Sequence, residues 1–298
     1  MGFFKTLFGG KETTAEEKQE QKEQYNFEVL TYDGTQALRI GKTDYAIACL
    51  ERALSIREDE EMRRSLARAY THADNLEKAA EQYAILSQNV PENASYPLAE
   101  AETYFQLERY EEMEKACQHA LAIDAQLAMP HYFIARGAKA QEEQQKAIDE
   151  ATLALEAKPD YDEARLLRAE SYTALRQYAE AEADIDILLA GETVSDDVLM
   201  QKAAICTATE RDEEAIDYYQ RVIEQNPFIP AAYIALSAVQ KKQGRHADAA
   251  KTISDAIEQL GADPADAERL SQTEFTSIDD YMRNAYNALN PYQLGVSL

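Results

Sequence analysis

The sequence feature that most constrains the fold is a segment that recurs at a nearly constant interval along most of the chain. A small residue or methionine, followed by apolar residues at helical spacing, occurs seven times. The interval is 33 residues once and 34 residues afterwards, and the seven positions are Ala46, Ala79, Met113, Ala147, Ala181, Ala215 and Ala249. A fixed period of this length is typical of proteins built from stacked supersecondary units.

A second small residue lies twelve residues before each of these positions. The set is Gly34, Ala67, Ala101, Ala135, Ala169, Ala203 and Ser237. Small side chains at both places allow two helices to approach closely. Pro97 and Pro130 fall where first helices would begin, and Pro91, Pro159 and Pro227 fall where second helices would end. Each unit is therefore predicted to be a helix pair, and the low count of 10 glycines argues against a sandwich or barrel.

These residues resemble the tetratricopeptide repeat, a 34-residue helix–turn–helix unit with small residues at positions 8 and 20 and an aromatic residue at position 11. Seven such repeats would start near Phe27, Glu60, Ala94, Ala128, Asp162, Asp196 and Pro230. The resemblance implies an all-α, right-handed solenoid of stacked helix–turn–helix repeats over residues 27–263. The sequence departs from the family pattern at position 7, usually leucine, where four repeats carry Asp33, Glu100, Arg168 and Lys202.

The two ends of the chain differ from the repeats. Residues 264–298 place Arg283 where a small residue is needed, so we predict a divergent helical capping unit and a tail. Residues 1–26 are predicted to form an apolar tip and a charged linker, which is either a solvated helix or disordered. The tip places four apolar residues on one helical face: Phe3, Phe4, Leu7 and Phe8. Three interpretations of the tip stay open: a membrane contact, docking on a partner or on the array, and a frayed terminus.

Charge and cysteine content restrict the class of protein. The chain has 30 Lys+Arg against 55 Asp+Glu and a net charge of −25, which argues against nucleic acid as a partner. Cys49, Cys117 and Cys206 lie far apart and form no CxxC motif, which favours reduced, buried thiols and a cytoplasmic protein. No stretch approaches the ~20 apolar residues of a membrane span, so a membrane association would be peripheral, through the tip.

No motif in the sequence indicates catalysis, a metal or a cofactor. The sequence has four histidines, and none has a second histidine at i+3 or i+4: His72, His119, His131 and His246. A metal site needs several convergent ligands. The glycine-rich nucleotide loops and the GxSxG nucleophile motif are absent. We therefore predict that the protein is not an enzyme and uses no cofactor; an enzyme with a cryptic site is the contrary hypothesis.

The resemblance also indicates a binding surface. In the family, positions 2, 5, 9, 12 and 13 of the first helices line a concave groove. The groove residues predicted here are Arg64, Arg68, His72, Phe105, Tyr132, Arg136 and Lys139. Arginine and lysine interleaved with aromatic residues suit an acidic or amphipathic peptide, whereas the alternative is an ordinary solvated surface. The Lys/Asn clamp by which some members hold a peptide carboxylate is absent, because the first repeat carries Thr31 and Thr35 at positions 5 and 9.

The sequence as a whole predicts a non-enzymatic scaffold that presents this groove to a protein or peptide ligand for the assembly of a protein complex. The alternative is a membrane-proximal assembly or adaptor factor tethered by the N-terminal amphipathic segment. The two differ in whether residues 1–10 are required for fractionation with membranes. The oligomeric state is left open by the sequence.

Overall fold

The computed structural model describes residues 14–261 and 277–289, and all regular structure in these ranges is helical. The all-α class predicted from the repeats is therefore confirmed. The chain divides into two compact units, residues 1–137 and 138–298. The apolar tip with Phe3, Phe4, Leu7 and Phe8 lies outside the described residues, as do part of the predicted capping unit and the tail.

The first unit is a succession of antiparallel helices joined by short turns. Its helices, the last of which contains the division between the units, are α1 Ala15–Arg39, α2 Thr43–Ile56, α3 Glu60–His72, α4 Leu76–Asn89, α5 Ser95–Gln106, α6 Tyr110–Ile123 and α7 Ala128–Ala140. A capping box, in which Thr14 and Glu17 exchange hydrogen bonds, starts α1. The helix therefore begins before residue 27, and residues 15–26 are its exposed first turns.

The second unit continues with the same pairing. Its helices are α8 Gln144–Ala157, α9 Asp162–Ala174, α10 Tyr178–Leu189, α11 Asp196–Ala208, α12 Asp212–Gln225, α13 Pro230–Lys242, α14 His246–Leu260 and α15 Ile278–Leu289. The first helices α9, α11 and α13 begin at Asp162, Asp196 and Pro230, the positions counted from the repeat. No helix in the described ranges is long and apolar enough to span a membrane.

Every turn within a helix pair has the same backbone conformation. One residue of each turn has a positive φ between 55° and 75°: Gly41, Asp74, Glu108, Glu142, Arg176, Glu210 and Gly244. The following N–H reaches back five residues, as in the 2.9 Å bond from Arg109 N to Tyr104 O and the 2.8 Å bond from Arg211 N to Cys206 O. This Schellman arrangement satisfies carbonyls at the end of the first helix and reverses the chain. The turn geometry therefore repeats with the period of the sequence.

The small residues that define the repeat lie where the two helices of a pair meet. In the first unit Ala67, Ala79 and Ala101 are each fully buried, and in the second unit Ala169, Ala181, Ala203 and Ala215 are as well. A Cβ added to Gly34 would lie 2.9 Å from Leu50 Cγ, so α1 and α2 are as close as their side chains allow. Larger neighbours, such as Leu50, Leu66 and Ile185, fill the space around these contacts.

The last described helix covers the apolar side of the last pair. Ala285 and Leu289 of α15 belong to a cluster that includes Tyr233 and Ile253. The Tyr281 hydroxyl is 3.0 Å from Ser237 Oγ, to which it donates a hydrogen bond. Shielding of a terminal core face is what a repeat array requires, and α15 provides it for α13 and α14.

Candidate binding surface

The predicted residues of the second repeat lie on the exposed side of α3. Asp59 caps this helix by accepting a 3.0 Å hydrogen bond from Met62 N. Met62, Leu66 and Tyr70 face the core, which leaves Arg64, Arg68 and His72 exposed at successive i,i+4 positions. The structure thus places these three side chains on one helix face, as the sequence predicts.

Among the described residues, Arg64 and Arg68 of α3 are not neutralised by an ion pair with a carboxylate. Arg64 lies near the Tyr96 hydroxyl, where its charge partly offsets the rise in the pKa of Tyr96 that burial causes. Arg68 lies near the Tyr83 hydroxyl, whose pKa is also raised mainly by burial and lowered by the Arg68 charge. Among the described residues, neither guanidinium forms an ion pair with a carboxylate, in contrast to Arg63 of the same helix, which pairs with Glu58.

The third and fourth repeats contribute an aromatic cluster around Arg136. The guanidinium carbon of Arg136 lies 4.1 Å from the centre of the Phe105 ring, and 5.6 Å and 5.7 Å from the rings of Tyr132 and Phe133. These distances are within the range of cation–π attraction. The Phe105 ring also meets Tyr110 edge to face, with 6.0 Å between ring centres. The structure therefore brings together Phe105, Tyr132 and Arg136, which were predicted separately from three repeat positions.

The cluster forms the wall of a small hollow on the surface. Its lining residues come from α5, the turn that follows it, α6 and α7: Glu102, Phe105, Gln106, Glu108, Tyr110 and Arg136. In the described part of the chain no carboxylate makes an ion pair with Arg136. Glu102 carries the opposite charge and also acts on Tyr83, so it reduces the positive potential between Arg68 and the hollow.

Lys139, the remaining predicted residue, has a different environment. It lies in the second unit, where its ammonium forms an ion pair with Glu170 of α9. Both side chains are partly exposed, 39% for Lys139 and 31% for Glu170. Lys139 therefore offers less free charge than the arginines of the first unit.

Three residues of this surface were not singled out by the sequence. Phe133 lies at repeat position 6, Tyr110 begins the second helix α6, and Tyr83 belongs to α4. The family pattern directs attention to inward positions of first helices, so it passes over residues of second helices. The one sequence feature that pointed to aromatic residues in general was the high tyrosine count of 18.

The described residues contain no arrangement suited to metal or thiol chemistry. Within residues 14–261 and 277–289, no group of three or more His, Cys, Asp or Glu side chains could hold a metal ion. The three cysteines are buried thiols that form no disulfide. Burial raises the pKa of the Cys206 thiol, which lies 3.8 Å from a carboxylate oxygen of Glu214, so its reactive thiolate form is disfavoured.

Family comparison agrees with the repeat period. Models described as tetratricopeptide repeat match residues 34–94, 98–127 and 209–267, which together make up half of the chain. The chain belongs to the tetratricopeptide repeat family. The family assignment made from the sequence is therefore confirmed.

Solved structures share the fold at low sequence identity. PilW, described as a widely conserved type IV pilus biogenesis factor, is similar with a TM-score of 0.60 and 16% identity, over 69% of this chain and 95% of PilW. PilF of Pseudomonas aeruginosa is similar with a TM-score of 0.56 and 16% identity, over 75% of this chain and 99% of PilF. YrrB, described as a TPR protein with an unusual peptide-binding site, is similar with a TM-score of 0.53 and 17% identity, over 65% of this chain and all of YrrB. No curated protein sequence matches.

These findings define the class of protein. The fold is an all-α solenoid of tetratricopeptide repeats, which confirms the predicted architecture. Repeats of this family bind protein or peptide partners and are typically non-catalytic, so the protein is a scaffold for protein–protein interaction.

Proposed function

We propose that this protein is a non-enzymatic scaffold that captures an acidic or amphipathic segment of a partner protein and thereby helps to assemble a protein complex. The capturing surface comprises Arg64 and Arg68 of α3 with Phe105, Tyr132 and Arg136 of α5 and α7. The observation that carries the proposal is the position of Arg136. It is held against three aromatic rings, without a carboxylate partner among the described residues, in a chain with a net charge of −25.

The geometry around Arg136 supports recognition of a carboxylate. A guanidinium that stacks on an aromatic face keeps the N–H groups at its edge available for hydrogen bonds. It also loses little conformational freedom on binding, because its ring contacts already restrict it. A partner carboxylate would form charge-assisted, bidentate bonds there, which are stronger than neutral hydrogen bonds.

The hollow beside Arg136 supports recognition of an apolar side chain next to that carboxylate. Phe105 and Tyr110 form an edge-to-face pair that offers ring surface at its wall. Buried aromatic residues contribute much of the free energy of protein–protein binding. Arg64 and Arg68 add charge for further acidic residues along the bound segment. A segment with acids flanking an aliphatic or aromatic residue fits these features best.

The absence of catalysis and the cytoplasmic location belong to the same proposal. The family and its fold, which are typical of non-catalytic scaffolds, support the first, and the three cysteines, which form no disulfide, support the second. No observation on the described residues favours the membrane-proximal alternative.

Selection from a random peptide library displayed on phage tests the proposal. The wild-type protein should enrich peptides in which Asp or Glu flanks an apolar residue. Arg136→Ala and Phe105→Ala should each abolish that enrichment, while Arg221→Ala on α12 should not. Enrichment of peptides without acidic residues, or the same enrichment by the Arg136→Ala variant, would place the binding site elsewhere.

A further inference from the structure

The first helix of the array exposes an apolar stripe on the side opposite its packed face. Tyr25, Val29 and Tyr32 follow one another at i, i+4 and i+7, so they lie on one side of α1. Tyr25 and Tyr32 are each 66% exposed, and Val29 is 39% exposed. The buried residues Phe27, Gly34 and Ala37 occupy the other side. We call Tyr25, Val29 and Tyr32 the N-terminal face.

Equivalent positions show that this face is built to be covered. Val29 is position 3 of its repeat, and the same position is buried in each of the six later repeats: Met62, Tyr96, Pro130, Ala164, Val198 and Ala232. Within each unit the later first helices pack against the second helix that precedes them, as α3 does on α2 and α13 on α12. No described helix precedes α1, so its equivalent side chains are left in solvent, where clustered aromatic residues are unfavourable.

We propose that residues 3–8 of this chain dock on the N-terminal face and cap the array there. This segment carries Phe3, Phe4, Leu7 and Phe8, the large apolar residues that most closely precede α1 in the sequence. The inference concerns a surface other than the proposed capture surface, so it does not depend on the proposed function.

The length of the connection allows this docking. Phe8 precedes Thr14 by six residues, which reach about 20 Å when extended. Tyr25 lies ten residues beyond Ala15 along the helix, a distance of about 15 Å at the rise of an α-helix. Phe3 and Phe4 are further from Thr14 in sequence, so an extended connection from them would be long enough to reach Tyr32. The segment can therefore fold back along α1 without crossing another element.

Charge and tethering favour this occupant over a second molecule. Glu20 and Glu28 line a shallow hollow beside Tyr25, and the segment contains Lys5 and is followed by Lys11. A short tether also gives an effective concentration on the order of millimolar. At micromolar protein, docking within the chain should therefore prevail over association of two chains through the same face.

Disulfide formation between introduced cysteines tests the proposal directly. In the double variant Phe8→Cys/Tyr25→Cys, mild oxidation should form a bond within one chain at least about ten times faster than in the control Phe8→Cys/Glu23→Cys. Glu23 is on the same helix, at a similar distance along the chain, but on its other side. The native cysteines are buried and should react little. Equal rates in the two variants, or bonds only between chains, would overturn the proposal.

Hydrogen exchange of the full chain supplies a second readout that needs no crosslink. Replacing Phe3, Phe4, Leu7 and Phe8 with serine should raise exchange in residues 15–32 by about tenfold and leave residues 60–72 unchanged. Adding vesicles that contain anionic lipid should not change the wild-type pattern. Identical exchange with and without the serine substitutions, or protection that arises only with vesicles, would contradict docking on α1.

Discussion

At the scale of single residues, each of the four polar side chains at repeat position 7 interacts with a different partner or pair of partners. Asp33 accepts a hydrogen bond from Tyr45, and Glu100 accepts one from Ser87. Arg168 forms a two-pronged ion pair with Asp184, and Lys202 pairs with Glu182 and Asp186. The family usually has leucine at this position. The departures in the sequence therefore place polar contacts between neighbouring helices, within a pair or between successive pairs.

Of these four side chains, Glu100 has the weakest compensation for the burial of its charge. Burial raises its pKa, and the 3.5 Å hydrogen bond from Ser87 offsets this only in part. Because the pKa is higher in the folded state than in the unfolded state, the ionised carboxylate destabilises the fold above the folded pKa. This penalty disappears below the unfolded pKa.

Replacing Glu100 with glutamine should therefore stabilise the protein at pH 8. We expect a gain of about 0.5 kcal/mol, a small value because solvent screens this half-buried site. The gain should shrink as the pH falls toward 5. Urea unfolding of wild type, Glu100→Gln and the exposed control Glu102→Gln over this pH range provides the check. A Glu100→Gln gain that grows with acidity would contradict the assigned sign.

The turn residues with positive φ allow a second prediction at this scale. Glu210 has a φ of 62° and Gly244 a φ of 75° in equivalent turns. A non-glycine residue in this region costs roughly 1 kcal/mol. Glu210→Gly should therefore raise the free energy of unfolding by about 0.5–1 kcal/mol, and Gly244→Ala should lower it by about 1 kcal/mol. A Cβ at Gly244 would meet no atom within 4 Å, so the effect isolates the backbone. Thermal melts that move in the same direction for both variants would refute the common turn geometry.

At the scale of elements, the pair α9–α10 depends on a buried ion pair. Asp184 Oδ2 and Oδ1 lie 2.8 Å and 2.7 Å from Arg168 Nε and Nη2, and the Asp184 side chain is 5% exposed. Arg165 approaches the same carboxylate at 3.5 Å. Removal of Asp184 would leave two guanidinium groups in a largely buried site without their anion.

Asp184→Ala should consequently destabilise the protein by about 3–5 kcal/mol. The double variant Arg168→Leu/Asp184→Leu should cost less, because it restores the apolar character that the family has at position 7. Glu112→Ala is the control, since Glu112 and Arg109 form an exposed ion pair that solvent screens, so its loss should change stability little. Denaturant unfolding that shows the double variant to be as unstable as Asp184→Ala would contradict this account.

The helix pairs were predictable from the sequence because small residues, prolines and helical spacing all carry the same period. The start of α1 at Ala15 could not be predicted from the repeat period, because it depends on the local capping box of Thr14 and Glu17. The aromatic cluster could not be predicted either, because the contact between Phe105 and Arg136 depends on rotamers on two successive first helices. The pairing of Lys139 with Glu170 likewise joins residues 31 positions apart. The division into residues 1–26, 27–263 and 264–298 stays a prediction.

At the scale of the whole molecule, the distribution of charge is more informative than its sum. The net charge is −25, yet Arg64, Arg68 and Arg136 have no ion-pair partner among the described residues of the first unit. Many of the other arginines, including Arg63, Arg109 and Arg211, pair with carboxylates. Positive side chains without an ion-pair partner attract acidic ligands, whereas the rest of this acidic protein repels them. The charge distribution therefore favours binding of an acidic ligand at these arginines.

The affinity for a fluorescent peptide from the display selection, measured against salt, tests the central proposal most directly. Arg68→Glu/Arg136→Glu should weaken binding at least about 100-fold with helicity unchanged, and the wild-type affinity should fall as salt screens the charges over about 8–10 Å. The control Arg52→Glu/Arg221→Glu makes the same change in net charge on exposed residues of α2 and α12 and should bind nearly as wild type. Equal losses in the two double variants would show that only net charge matters. Wild-type affinity in Arg68→Glu/Arg136→Glu would show that this surface does not bind the peptide.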